Sequence, residues 1–162
     1  MNKNDQLMHE KPTLYMMAGG PGSGKGYIIA KHYSELSVVD CDRIKSEHPD
    51  YDPKNPSALH EWSSIEASRE FYWRLSIGDD FIYDGTGTNA EKYIAMANAA
   101  HAAGFNVTLV YVKASLVTSL RRNAERARTV PEHLVIEKHA SIATSVALIR
   151  DTVNSVEIYL ND

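Results

Sequence analysis

The sequence predicts an α/β fold: a parallel sheet with helices covering both faces. Three features lead there. Short apolar strings recur between stretches of helical period along the chain. The strings lack the polar alternation of a strand with one wet face, and the first of them runs straight into a glycine-rich turn. Strands that alternate with helices require right-handed crossovers, hence parallel neighbours. At 162 residues, with 43% apolar and 23% charged side chains, the chain has about the length of one domain and a composition near the globular mean.

Residues 1–12 carry no apolar period and end at Pro12, so they read as a frayed leader ahead of a single domain over 13–162. TLYMMA, Thr13 to Ala18, is the first strand; KGYIIAKHY follows as a helix through Ile28, Ile29 and Tyr33; LSVVD, Leu36 to Asp40, is the second strand. Glu47 to Pro56 holds three of the six prolines and three acids and reads as a surface loop. From Ser57 to Ile77 a helix is predicted with Leu59, Trp62, Ile65, Tyr72 and Leu75 inward, ended by Gly78. FIYD, Phe81 to Asp84, is the third strand. Asn89 opens a helix with Tyr93, Met96, Ala97 and Ala100 on one face, and Gly104 follows its end. VTLVYV, Val107 to Val112, is the fourth strand. A helix from Ser115 is read with Leu116, Leu120, Ala124 and Ala127 inward. Thr129 and Glu132 have capping-box spacing around Pro131, before a helix carrying Val135, His139, Ile142, Val146 and Ile149. Val156 to Leu160 is the last strand.

Composition excludes several classes of function. With 17 basic and 21 acidic residues the net charge is −4, which gives no general attraction to a nucleic-acid backbone or an anionic membrane. The single cysteine, Cys41, permits no internal disulfide and no Cys-type zinc site. A reducing cytoplasm, or a host cytoplasm for a viral protein, is the expected setting. No apolar run reaches the roughly 18 residues that span a bilayer, and no obligate protein partner is evident.

Ligands bind parallel sheets at the carboxyl ends of the strands, so the residues that end each strand are read together. After the first strand stands Gly19-Gly20-Pro21-Gly22-Ser23-Gly24-Lys25-Gly26, which meets the first seven positions of G-x-x-x-x-G-K-[ST]. Glycines let successive N–H groups turn into one concavity, the helix N-terminus adds partial positive charge, and Lys25 supplies a full charge near the β and γ phosphates. Gly26 replaces the hydroxyl residue that usually contacts Mg²⁺. Asp40, Asp42 and Asp84 are the acids at neighbouring strand ends that are placed to hold the ion through its waters. If they do not, the chain is a catalytically silent nucleotide sensor.

Asp40-Cys41-Asp42-Arg43 follows the second strand. Asp42 is the candidate base for an acceptor hydroxyl opposite the γ-phosphate; a helix N-cap is the other use of an aspartate here, and Asp40 suits either. Asp84-Gly85-Thr86-Gly87-Thr88 suits a substrate or a hydrated metal, or simply a tight turn. Four of the eight arginines fall within Ala114 to Arg128, a segment of net +3. Arg122 and Arg126 share a helix face, while Arg121 can pair with Glu125. Guanidinium groups delivered from a lid would neutralise the charge that grows during phosphoryl transfer; a solvated basic face is the alternative. His139, on an apolar stripe, reads as a satisfied interior histidine, and the remaining histidines lack metal spacing.

GGPGSGKG, VVDCDRIK, FIYDGTGTN and SLRRNAERARTVP together resemble the zeta-toxin-like and polynucleotide-kinase-like small P-loop kinases, from about Thr13 to Leu160. The resemblance implies a three-layer P-loop NTPase sandwich with parallel strand order 2-3-1-4-5 and an arginine-bearing helical lid. It implies ATP or GTP as donor with Mg²⁺, and phosphate moved to a hydroxyl of a nucleotide-like acceptor, DNA and RNA included. The acid acting on the acceptor falls on Asp42 and the phosphate-contacting arginines on Arg122 and Arg126. Arg43, Asp84, Thr86 and Arg128 are expected to line the acceptor side. The chain is shorter than typical zeta toxins, so phosphorylation of a cell-wall precursor is not carried over.

Overall fold

The computed structural model describes residues 10–55, 57–127 and 129–162. Strand β1 (Thr13–Ala18) leads to α1 (Lys25–His32), β2 (Ser37–Asp40), α2 (Cys41–Ser46), α3 (His60–Ile77) and β3 (Phe81–Asp84). Then come α4 (Ala90–Ala102), β4 (Asn106–Lys113), α5 (Leu116–Glu125), α6 (Glu132–Ile149) and β5 (Ser155–Leu160). The five strands form one sheet in the order β2-β3-β1-β4-β5, all parallel. Both the fold class and the strand order agree with expectation.

The most continuously apolar strings occupy the middle of the sheet, where both faces are covered. Leu14, Met16, Met17 and Ala18 of β1 are fully buried, as are Val107, Leu109 and Val110 of β4. One face packs Leu14, Met16, Phe81 and Tyr83 against Phe71 of α3, Tyr93 of α4 and Ile149 of α6. The other packs Met17, Ile82, Val110 and Val112 against Ile28 of α1. Each such large side chain contributes about 1.5–3 kcal/mol through burial, and together these contacts fix the carboxyl edge of the sheet as a rigid platform. Pro12 extends the opposite, amino end of the sheet, its carbonyl accepting the Asn106 N–H at 2.9 Å. The rest of the expected leader, residues 1–9, lies outside the described residues.

Four local expectations are corrected. In α3 the buried residues are Ser63, Ala67, Phe71 and Leu75, at a strict spacing of four. Leu75 is inward as expected, but Trp62, Ile65 and Tyr72 are 37%, 50% and 56% exposed, because they fall off the four-residue stripe that carries Phe71 and Leu75 into the core. In α5 the inward residues are Thr118, Ser119 and Asn123, whereas Ala124 and Ala127 are exposed; the face is polar because it packs on backbone, as shown below. Thr129 does not cap α6: Pro131 holds the cap position, with no side-chain cap. Finally, β5 is an edge strand with Ile158 and Leu160 exposed, so the covering of the sheet stops short of it. Helix α2, not foreseen as an element, forms because the Asp40 carboxylate accepts the Asp42 N–H at 2.9 Å as its N-cap.

Candidate active site

The glycine loop occupies the turn from β1 to α1, and its geometry explains its composition. Gly24, the N-cap of α1, has φ 92° and ψ 27°, and Gly22 has φ 78°, both in the left-handed region that favours glycine. Space forbids side chains there as well: a Cβ on Gly22 would run into the Ser119 carbonyl and one on Gly24 into the Asn161 amide. Inside the loop the Ser23 N–H donates to the Gly20 carbonyl at 3.1 Å and the Gly19 N–H to the Thr86 carbonyl at 2.9 Å. The N–H groups of Gly22, Gly24 and Lys25 have no acceptor among the described residues, which is the state of an anion nest at a helix N-terminus. Gly26 differs. A Cβ there would meet nothing within 4 Å, so no steric reason excludes the usual hydroxyl residue.

Strand pairing brings the acids together. Asp40 and Asp84 are register partners at the carboxyl ends of β2 and β3. Lys25 Nζ lies 3.8 Å from Asp84 Oδ1, an ion pair too long for a hydrogen bond, and that buried oxygen has no hydrogen-bond partner. Burial raises the pKa of Asp84, with Lys25 pulling it back and Asp40 and Asp42 adding to the rise. Burial likewise raises Asp40, opposed mainly by the hydrogen bond from the Asp42 N–H. Asp42, in the first turn of α2, is exposed.

These groups face a groove of about 820 Å³. Its lining is the loop glycines and Lys25, the strand-end residues Asp40, Asp42, Asp84 and Thr86, Arg122 beside the loop, and Arg126 with Thr129, Val130, Pro131 and Leu134. The Thr86 hydroxyl also contacts Thr88 at 3.0 Å. The structure therefore places Lys25, Asp40, Asp42, Asp84, Thr86, Arg122 and Arg126 around one space.

Arg43 is not there, and its expected place on the acceptor side is corrected. Its guanidinium pairs with Glu70 at 3.0 Å and Glu47 at 3.3 Å and donates to the Val38 carbonyl at 3.2 Å. It is committed to joining α2, α3 and β2, beside a separate cavity between α2 and α3. Arg128 lies outside the described residues.

The two arginines differ. Arg126, at the C-cap of α5 in extended backbone, is exposed and in no ion pair among the described residues. Arg122 points its Nη1 at three carbonyls: Asn161 at 2.6 Å, Ser23 at 3.3 Å and Gly22 at 3.4 Å.

Sequence reasoning missed several groove residues. Lys45, Ser57, His60 and Lys138 also line it. Lys45 stands at the end of the string VVDCDRIK, one turn of helix beyond Asp42, and that i, i+3 spacing was its available signal. Asn123, between the arginines of α5, has a role that no local pattern shows. Its amide in fact holds both polar groups of Val130, donating to the carbonyl at 2.8 Å and accepting from the N–H at 3.0 Å, which folds the α5–α6 arc over the groove.

A strand, a glycine nest and a helix beginning at lysine, set beside carboxylates from two neighbouring strand ends, define the P-loop class of folds. Within that class the chain belongs to the Zeta toxin family, whose model matches residues 2–162. It is 24% identical over 134 residues to the Toxin zeta of Enterococcus hirae, covering 75% of this chain and 46% of that protein; the chain thus spans about half the length of such relatives. Among solved structures it resembles a chain of the PezAT chromosomal toxin–antitoxin system of Streptococcus pneumoniae. That match has a TM-score of 0.67 and 14% identity, covering 99% of this chain and 75% of that one. It also resembles the shikimate kinase of Acinetobacter baumannii, with a TM-score of 0.54 and 14% identity, over 93% and 85% of the two chains. At such identities the structures show a shared fold.

Proposed function

We propose that this chain transfers the γ-phosphoryl group of ATP or GTP to a hydroxyl of a nucleotide-like or nucleic-acid acceptor. The observation that carries the reading is the groove itself, lined together by an amide nest and Lys25, by Asp42 and two further carboxylates, and by Arg126. The loop amides and Lys25 hold the donor phosphates. Asp42 orients the acceptor hydroxyl and takes its proton as the oxygen–phosphorus bond forms and the bond from the γ-phosphorus to the bridging oxygen breaks. Arg126 offsets the charge that accumulates between them.

Among the described residues no three His, Cys, Asp or Glu side chains gather closely enough to ligate a metal directly. The unpartnered buried oxygen of Asp84 beside Asp40 suits instead a cation that keeps its waters. Asp84 and Asp40 would hold Mg²⁺ in this way, and the ion would supply charge neutralisation at the donor phosphates. No helix among the described residues is long and apolar enough to cross a membrane.

The test is transfer of labelled γ-phosphate to a panel of nucleosides, sugar nucleotides and DNA or RNA with free hydroxyls. Asp42→Asn is expected to lower turnover by roughly 10²- to 10⁴-fold with donor affinity little changed. Tight donor binding with no transfer to any acceptor would instead support a nucleotide sensor.

A further inference from the structure

The geometry points to Asn161 as a positioning residue for the phosphate loop, an assignment that rests on that loop being the donor site. A loop that turns its N–H groups into a concavity leaves carbonyls on its outer side, and those must be satisfied elsewhere. Here the Gly20 and Gly24 carbonyls accept from Ser23 and Ile28 within the chain's own turns. The Gly22 and Ser23 carbonyls receive no backbone N–H among the described residues. Two side chains serve them. Asn161 donates its Nδ2 to Ser23 at 2.9 Å, and Arg122 reaches Ser23 at 3.3 Å and Gly22 at 3.4 Å.

Asn161 acts twice in this arrangement. Its side chain holds Ser23, and its carbonyl takes the shortest of the Arg122 hydrogen bonds, 2.6 Å, which aims the guanidinium at the loop. The residue is itself fixed by backbone: its N–H continues the sheet by donating to the Lys113 carbonyl at 2.8 Å, and the next residue, Asp162, accepts the Ser115 N–H at 2.7 Å. The side chain can therefore be removed while its backbone anchors stay. Gly24 and Asn161 are also a matched pair, since any Cβ at position 24 would occupy the place of the Asn161 amide. The polar inner face of α5 belongs to the same device. Ser119 lies against Gly22 and Arg122 against Ser23, so the helix that leads to the closing arc is packed on the loop it closes over.

Asn161→Leu removes the donor at nearly constant shape and Asn161→Ala removes it with the volume. Amide hydrogen exchange at Gly19 and Ser23, the loop N–H groups that are hydrogen-bonded, to the Thr86 and Gly20 carbonyls, reads the brace without nucleotide. Both variants are expected to exchange roughly three- to tenfold faster there, with protection of β1 and β4 unchanged, the factor expected for one net hydrogen bond. Calorimetry with ATP and Mg²⁺ should show affinity weakened by a similar factor, and steady-state kinetics a raised KM for ATP with an unchanged KM for the acceptor. Wild-type exchange and affinity in both variants would overturn the assignment, as would loss of protection spread uniformly over the sheet. A wild-type chain that binds no nucleoside triphosphate, while the variants still lose loop protection, overturns the reading of the donor site and leaves the brace standing.

Discussion

The two walls of the groove are held in different ways. The phosphate loop is fixed from outside by Arg122 and Asn161, from below by the Thr86 carbonyl, and at its end by the α1 turn. The arc from Arg126 to Leu134 is tied back to α5 by Asn123 alone among the described hydrogen bonds, and its arginine is exposed. Preorganised donors cost no reorganisation at the moment of reaction, which is where an electrostatic site gains most. A lid must be able to leave. The contrast teaches that Arg122 and Arg126 are held differently: one turn of helix separates a side chain hydrogen-bonded to the phosphate loop from one exposed at the groove.

The strongest way to break this comparison is at the fixed wall. Lys25→Met removes the full positive charge that the loop itself carries and is expected to lower kcat/KM by roughly 10³-fold. Its effect on thermal stability should be small, because its ion pair among the described residues, at 3.8 Å to Asp84, is weak. Retained transfer would remove the loop from the mechanism.

Next in size is the arginine pair, which sharpens the contrast. Arg126→Ala should lower kcat by about 10²-fold and leave Tm and the apo exchange pattern as they were. Arg122→Ala should also destabilise the protein, by about 1–3 kcal/mol in a denaturant titration, since it strips donors from carbonyls of Gly22, Ser23 and Asn161. Equal stability of the two variants would refute the division of labour.

The sequence spoke most clearly where one force acts alone. β1 and β3 were legible to the residue because a string buried on both faces has a single reading, and the Gly19–Lys25 loop because positive φ and close approach leave glycine as the option. Legibility failed where partners come from far along the chain. Nothing local to Arg122 shows that its Nη1 is shared between Asn161, 39 residues on, and the loop 99 residues back. Arg43 failed for the same reason: Glu70 is 27 residues away and meets it only when α3 packs on α2. On α3 the stripe reads around Trp62, Ile65 and Tyr72, whereas Ser63, Ala67 and Phe71 join Leu75 inside. On α5 close approach to Gly22 selects the small polar Ser119.

The smallest expected effect concerns the carboxylate wall and has the opposite sign to the others. Asp84 is buried, and burial outweighs the attraction of Lys25, so its pKa in the folded chain lies above the ordinary aspartate value. The native state thus binds this proton more tightly than the unfolded chain does. The contribution of Asp84 to stability is fully present below the unfolded pKa of about 3.9 and is lost as pH rises through the folded value. At neutral pH the ionised group is a cost, tolerated because a carboxylate is wanted there. Asp84→Asn, which cannot ionise, should raise Tm at pH 7. The advantage should shrink as pH falls and vanish below the ordinary carboxylate range. Activity should move the other way, with phosphoryl transfer lost at every pH if the oxygen of Asp84 holds a hydrated cation. A variant less stable at pH 7 than the wild type would mean that the Lys25 pair, not burial, governs this position, and the fixed wall would then owe its rigidity to charge instead of to the hydrogen bonds behind the loop.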